Sequence, residues 1–327
     1  MDSKPVSATS LGAYYQVNGS ALSKHYKNFL SGFYQWDQLE HAEEWILYPE
    51  NIGTSLCLDE VSLSDGELYT VLTNARARCQ KGSLIAMIKG VKSSTVSEVL
   101  KQIPLGKRMK IREVSVDMAN NMEKIARTCF PSAFVVTDRF HVAQLISQAV
   151  QEIRIKYRWE AIEQENQLIK RYKQEGIKYK AHCFENGDSR KQLLARSRYI
   201  LFKTSNKWTN SQKARAAILF REYPKIKEAY KLSMMFRNIY ETSFSIPEAN
   251  EKLTQWFIKV KEKNFDAFIT AAESINSHKE NILNFFRHRT TNALAESFNS
   301  KVKAFRSIFR GVKDTAFFLF RLSRILA

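Results

Sequence analysis

Apolar positions first recur along this chain at three- and four-residue intervals. Leu11, Tyr14, Tyr15 and Val17 precede an Asn18-Gly19 turn, and Leu22, Tyr26, Phe29 and Leu30 follow it. That spacing predicts two helices, SATSLGAYYQV and SALSKHYKNFLSGFYQW, joined by a tight turn. From about residue 54 the pattern changes to short β-branched and apolar runs. SLCLDEVSL, ELYTVLTN, SLIAMIKGV, IREVSVDM and SAFVVTD read as strands, and Gly66 and Gly82 join the first three into an antiparallel meander. Helical segments around SSTVSEVLKQI and from Met118 to Cys129 separate the later strands. Three hairpin strands followed by alternating helix and strand predict a mixed sheet with helices on its faces.

After Asp138 long amphipathic helical patterns run almost to the end, divided by the capping clusters ENGDS, TSNKWTNSQ and FSIPEAN. The expected order is a helical segment over 1–50, the first part of an α/β core over 51–140, an all-helical insertion over 141–285, and closing core helices over 286–327.

Charge narrows the partner. Lys and Arg number 51 against 33 Asp and Glu, a net charge of +18, which suits a polyanion such as nucleic acid. An anionic membrane surface is the rival, but no uncharged apolar run is long enough for a span. MDSKPVSATS has no apolar signal-peptide core, so a cytoplasmic location is expected. Cys57, Cys79, Cys129 and Cys183 lack the paired spacing of a zinc site or disulfide framework and read as reduced thiols. The N-terminal helix pair is the minimum of a helix-turn-helix reader, with Lys24, His25 and Lys27 as its candidate DNA contacts; a plain packing hairpin is the other reading.

The acids carry the candidate chemistry. Asp59 lies inside an apolar strand, where an unpaired carboxylate is costly, so a metal or an ion pair must compensate it. Glu60 alternates to the opposite face and reads as structural or solvent-facing. Asp117 ends a strand before a helix and fits either a metal ligand or a cap for exposed amides. Asp138 has the same ambiguity, as a fourth ligand or a cap, with His141 a polar residue three positions on. Glu296 sits on a basic helical stretch between Asn292 and Asn299, ahead of Lys301, Lys303, Arg306 and Arg310, and reads as a metal ligand among phosphate contacts or as part of a solvated helix. Carboxylates at strand ends suit Mg2+ or Mn2+, and two such ions would activate one oxygen and stabilise another during in-line displacement at phosphorus. Phe305, Phe309, Phe317, Phe318 and Phe320 read as core, and Trp208 and Trp256 as buried helical tryptophans rather than base-stacking groups.

LDEVSL at 58–63, VSVDM at 114–118, VTDRFHV at 136–142 and TNALAESFNSKVKAFR through FRGVK at 291–313 resemble, in order and spacing, the DDE transposases of bacterial insertion sequences, particularly the ISL-three group. AEEWILYPENI, NGDSRKQLLARSRY and NKWTNSQKARAAILF resemble its Aon-one-like subgroup. The resemblance implies an RNase H-like α/β core interrupted by a large all-α insertion, and a catalytic triad of Asp59, Asp117 and Glu296 holding two Mg2+ or Mn2+ ions. It further implies cleavage at element ends, strand transfer into target DNA, and a dimer or larger assembly in the nucleoid. Asp138 and His141 match a motif that supports the site or DNA handling. Longer members open with a zinc-binding cysteine cluster and a fuller DNA-binding region, so a companion N-terminal polypeptide is an expected partner. A stand-alone nuclease with the same acids, and an inactive DNA-binding derivative, are the alternative readings.

Overall fold

Leu56 and Leu58 of the strand Ser55–Ser62 enter one hydrophobic core and Val61 enters another, so period-two alternation in a single strand defines two buried faces. The computed structural model describes residues 4–63, 66–289, 293–309 and 311–327, apart from the side chains of 293–296. The chain divides into two units, Met1–Arg139 with His288–Ala327, and Phe140–Arg287.

The first unit holds a six-stranded sheet of β1 (Trp45–Leu47), β2 (Ser55–Ser62), β3 (Leu68–Asn74), β4 (Leu84–Lys89), β5 (Glu113–Val116) and β6 (Phe134–Thr137). Their order is β1-β4-β3-β2-β5-β6. The β1–β4, β4–β3 and β3–β2 pairs are antiparallel, while β2–β5 and β5–β6 are parallel. This is the mixed sheet expected from the strand pattern, with one addition. The three-residue edge strand β1 lies within the region expected to be helical, and it is too short to show a period.

Helices cover both faces. α3 (Ser93–Leu100) and α5 (Asn120–Cys129) bury Val96, Leu100, Met122, Ile125 and Ala126 against Leu56, Leu58, Val114 and Val116. The short α4 (Leu105–Arg108) leads into β5. On the other face α13 (Ala293–Ile308) and α14 (Thr315–Leu326) contribute Phe298, Val302, Phe305, Phe318 and Phe320 to a core with Ile46, Val61, Tyr69, Val71 and Met87.

α1 (Ala8–Tyr15) and α2 (Gly19–His25) form the expected hairpin, each with a capping side chain, Ser7 and Asn18. α2 is shorter than its apolar spacing predicts. After His25 a π-turn over Tyr26–Leu30 and a 3-10 turn over Phe33–Gln35 replace regular helix. Gly12 and Gly19 meet at the crossing, where a Cβ on Gly12 would stand 2.7 Å from the Gly19 Cα.

The second unit contains the long α6 (Arg139–Gln174), α7 (Arg190–Arg196), α8 (Asn210–Glu222), α9 (Pro224–Thr242), α10 (Ile246–Lys263), α11 (Asp266–Ser277) and α12 (Lys279–His288). Trp256 is fully buried and donates its indole N–H to the Leu232 carbonyl at 3.0 Å, and half-buried Trp208 donates to Ile200 at 3.0 Å. The fully buried Asp188 carboxylate ties α7 to α8. It accepts from Arg215 at 2.7 Å, from Arg196, and from the Asn186 amide at 2.9 Å. Among the described residues no helix is long and apolar enough to cross a membrane.

Candidate functional site

Three neighbouring parallel strands build the site, with Asp59 within β2 and Asp117 and Asp138 directly after β5 and β6. Cys57 of β2 pairs with Ser115 of β5, and Val116 of β5 pairs with Thr137 of β6. Asp59 and Asp117 each stand two residues beyond the first of these pairs, and Asp117 and Asp138 each stand one residue beyond the second. The Asp138 amide donates to the Val116 carbonyl at 2.7 Å, which holds that edge of the row. Asp59 and Asp117 are half-buried, and Asp138 is buried.

Local bonds orient the first two. Asp59 Oδ1 accepts from the Glu60 amide at 2.8 Å, and Asp59 Oδ2 accepts from the Asn299 side-chain amide at 2.7 Å. Asn299 also donates to the Glu60 carbonyl at 3.2 Å, so α13 is stitched to β2 beside the acid. Asp117 Oδ1 accepts from the Ala119 amide at 2.8 Å, so its carboxylate does hold an amide in the turn before α5. Residue 296 precedes Asn299 by three positions in α13, about one helical turn. The Glu296 side chain lies outside the described residues, as do Asn292 and Arg310 entirely.

The site is electronegative, and its neighbours register that. Burial, then the fields of Asp138, Asp59 and Glu113, push the Cys57 thiol up to about 12. Burial and then the charge of Asp117 raise the Glu60 carboxyl above its ordinary value, against a side-chain hydrogen bond with Asn121 of α5. Glu60 is half-buried and within the field of Asp117 rather than turned to open solvent. Glu113, 4% exposed, is an acid that the sequence reading passed over. Its signal was the period of two, since Glu113, Ser115 and Asp117 fall at alternate positions. An all-oxygen set of carboxylates in a field this negative fits a hard divalent cation. Among the described residues, which exclude the Glu296 side chain, no three His, Cys, Asp or Glu form a metal-holding group.

The basic candidates are spread more widely. Lys24 and His25 are exposed, with the His25 ring 5.2 Å from Phe29. Lys27 pairs with Asp314 and lies over the rings of Phe33 and Phe317, which anchors the N-terminal segment to α14. Lys301 donates to the Cys79 carbonyl at 2.6 Å, whereas Lys303 is exposed and Arg306 half-buried on the same helix. His141 belongs to the helical unit, on the first turn of α6, with its ring edge-on to Phe140.

A family model described as transposase, the DDE transposases of the ISL3 group, matches residues 56–322. The transposase for insertion sequence element IS1001 of Bordetella parapertussis is 21% identical over 270 residues, covering 82% of this chain and 59% of that protein. The transposase for insertion sequence element IS1557 of Mycobacterium tuberculosis is 23% identical over 261 residues, covering 79% of this chain and 56% of that protein. The chain therefore spans less than two thirds of the length of these relatives. Among solved structures, the Drosophila P element transposase strand transfer complex aligns over 94% of this chain and 92% of that one, with 12% identity and a TM-score of 0.29. With its family's model running from β2 into α14, the chain belongs to the ISL3 group of DDE transposases.

Proposed function

We propose that this chain supplies the catalytic core of an insertion-sequence transposase, cutting DNA at the element's ends and joining the freed 3′-hydroxyl to target DNA. The observation that carries the reading is the row of acids on parallel strands, with Asp59 gripped from α13 one turn from residue 296. Membership of the family implies dependence on a divalent metal. Asp59, Asp117 and Glu296 would hold two Mg2+ or Mn2+ ions, with Asp138 the candidate for a further contact. Bound there, the ions supply positive charge that activates the attacking oxygen and steadies the leaving one.

The chain's own residues do the rest. The β2–β5 ladder anchors the strands that carry Asp59 and Asp117 before DNA arrives, which would lower the cost of assembling the site. Exposed Lys303, with Arg306 behind it, supplies phosphate contact along α13, and Arg310 and Asn292 extend that set. Lys24 offers charge on the N-terminal hairpin, with His25 beside it as a polar contact and His141 as one on the helical unit. Two ends must be joined in one event, so the working form is a dimer or larger assembly on nucleoid DNA, aided by a companion N-terminal polypeptide in end recognition.

The test is nicking and strand transfer on a labelled duplex carrying the element's terminal repeats, with Mg2+ or Mn2+, for the chain with and without a companion polypeptide. Metal-dependent nicking and joining, both lost in Asp59→Ala, is the expected result. Nicking without joining would make the protein a nuclease. Tight DNA binding by folded chain with no nicking in any mixture would make it a DNA-binding derivative.

A further inference from the structure

We infer that Asn299 is a positioning residue of the metal site, acting through the Asp59 carboxylate rather than on DNA. The inference rests on the reading that Asp59 holds metal. The Asn299 Nδ2 group has two hydrogens and two acceptors on β2, Asp59 Oδ2 at 2.7 Å and the Glu60 carbonyl at 3.2 Å. The other carboxylate oxygen, Oδ1, accepts from the Glu60 amide at 2.8 Å. One donor comes from the acid's own strand and one from a helix 240 residues away in sequence. Together they fix the plane of a carboxylate that would otherwise turn about two side-chain torsions.

The donor's chemistry suits this task. A neutral amide orients the carboxylate while leaving its negative charge for a cation, whereas Lys or Arg at 299 would orient it and also compete with the metal. Partners of this kind, bonded to a ligand rather than to the ion, set the ligand's direction and basicity. Nor is the amide needed to hold α13 in place. Phe298 and Val302, on either side of it, are each 1% exposed in the shared core, and Lys301 bonds the Cys79 carbonyl. With both amide hydrogens directed at β2, Asn299 has no donor left for a phosphate.

The experiment is Mn2+ titration of the full chain without DNA, followed by water-proton relaxation, for the natural protein, Asn299→Ala, Asn299→Gln and Asp59→Ala. Asn299→Ala is expected to weaken Mn2+ binding by about 10- to 100-fold while the metal-free thermal midpoint stays nearly unchanged. Nicking by the variant should recover more fully at high Mn2+ than at limiting Mn2+. Asn299→Gln, with its amide one methylene farther out, should fall between the two and serves as the test should Asn299→Ala not fold. Unchanged Mn2+ affinity in the Asn299 variants overturns the inference, and a simultaneous fall in duplex affinity would assign Asn299 to DNA instead. Mn2+ binding that Asp59→Ala leaves intact removes the metal-ligand reading itself, a failure reported by a different variant.

Discussion

Burial alone would raise the Asp188 carboxyl, but the hydrogen bonds and charges of Arg215 and Arg196 outweigh it and hold the group below its ordinary value. With the folded value depressed, the stabilisation is present above the unfolded carboxyl's value of about 3.9 and is lost as pH falls through the folded one. Asp188→Asn should therefore remove an acid-linked part of the helical unit's stability, visible as a flatter dependence of its denaturant midpoint on pH below about 4. Asp188→Ala, which takes the carboxylate from the largely buried Arg215, should cost about 3 kcal/mol at neutral pH, read from the same midpoint. In the sequence Asp188 looked like one more turn residue of ENGDS. Its role depends on Arg215, 27 positions on, and local pattern carries no information about such a partner. Asn299 was visible only as a polar residue on the face of Glu296. Which acceptor its amide meets is decided by how α13 docks, and no helical period encodes that.

Elements were more legible where a period could repeat. β2, β3 and β4, eight, seven and six residues long, announced themselves through apolar runs between glycines, and the parallel β5 and β6, four residues each, through the helix signals around them. The α1–α2 turn was legible from Asn18-Gly19, but the closeness of the two helices was not. Gly12 could be read as one weak helical position; in the fold it admits the Gly19 backbone and the Val17 carbonyl, each 2.7 Å from where a Cβ would stand. Both obstacles are backbone, so neither can swing aside. Gly12→Ala should push the helices apart at a cost of about 1–3 kcal/mol. Hydrogen exchange would report it as lost protection over residues 8–25, with the sheet unaffected.

At the scale of the molecule, the net charge of +18 predicts a steep salt dependence of DNA binding. If six phosphates are engaged, duplex affinity should fall by about a thousandfold between roughly 50 and 200 mM salt, measured by fluorescence anisotropy; a flat response would mean that the charge is not directed at the backbone. The class of fold was legible because a meander followed by alternating helix and strand admits few sheets. The closing helices over 286–327 and their phenylalanines were legible as core; which face of the sheet they cover was not, since they stand beyond the helical unit in sequence. That separation has a consequence for the chain as it is made. Ile46, Val61, Tyr69, Val71 and Met87 leave the ribosome early, yet their cover on α13 and α14 follows only after residues 140–287. At about 5–20 residues per second the interval is roughly 7–30 s. Through that time the nascent sheet has one bare oily side for chaperones to guard, and Asp59 is without its bond from Asn299.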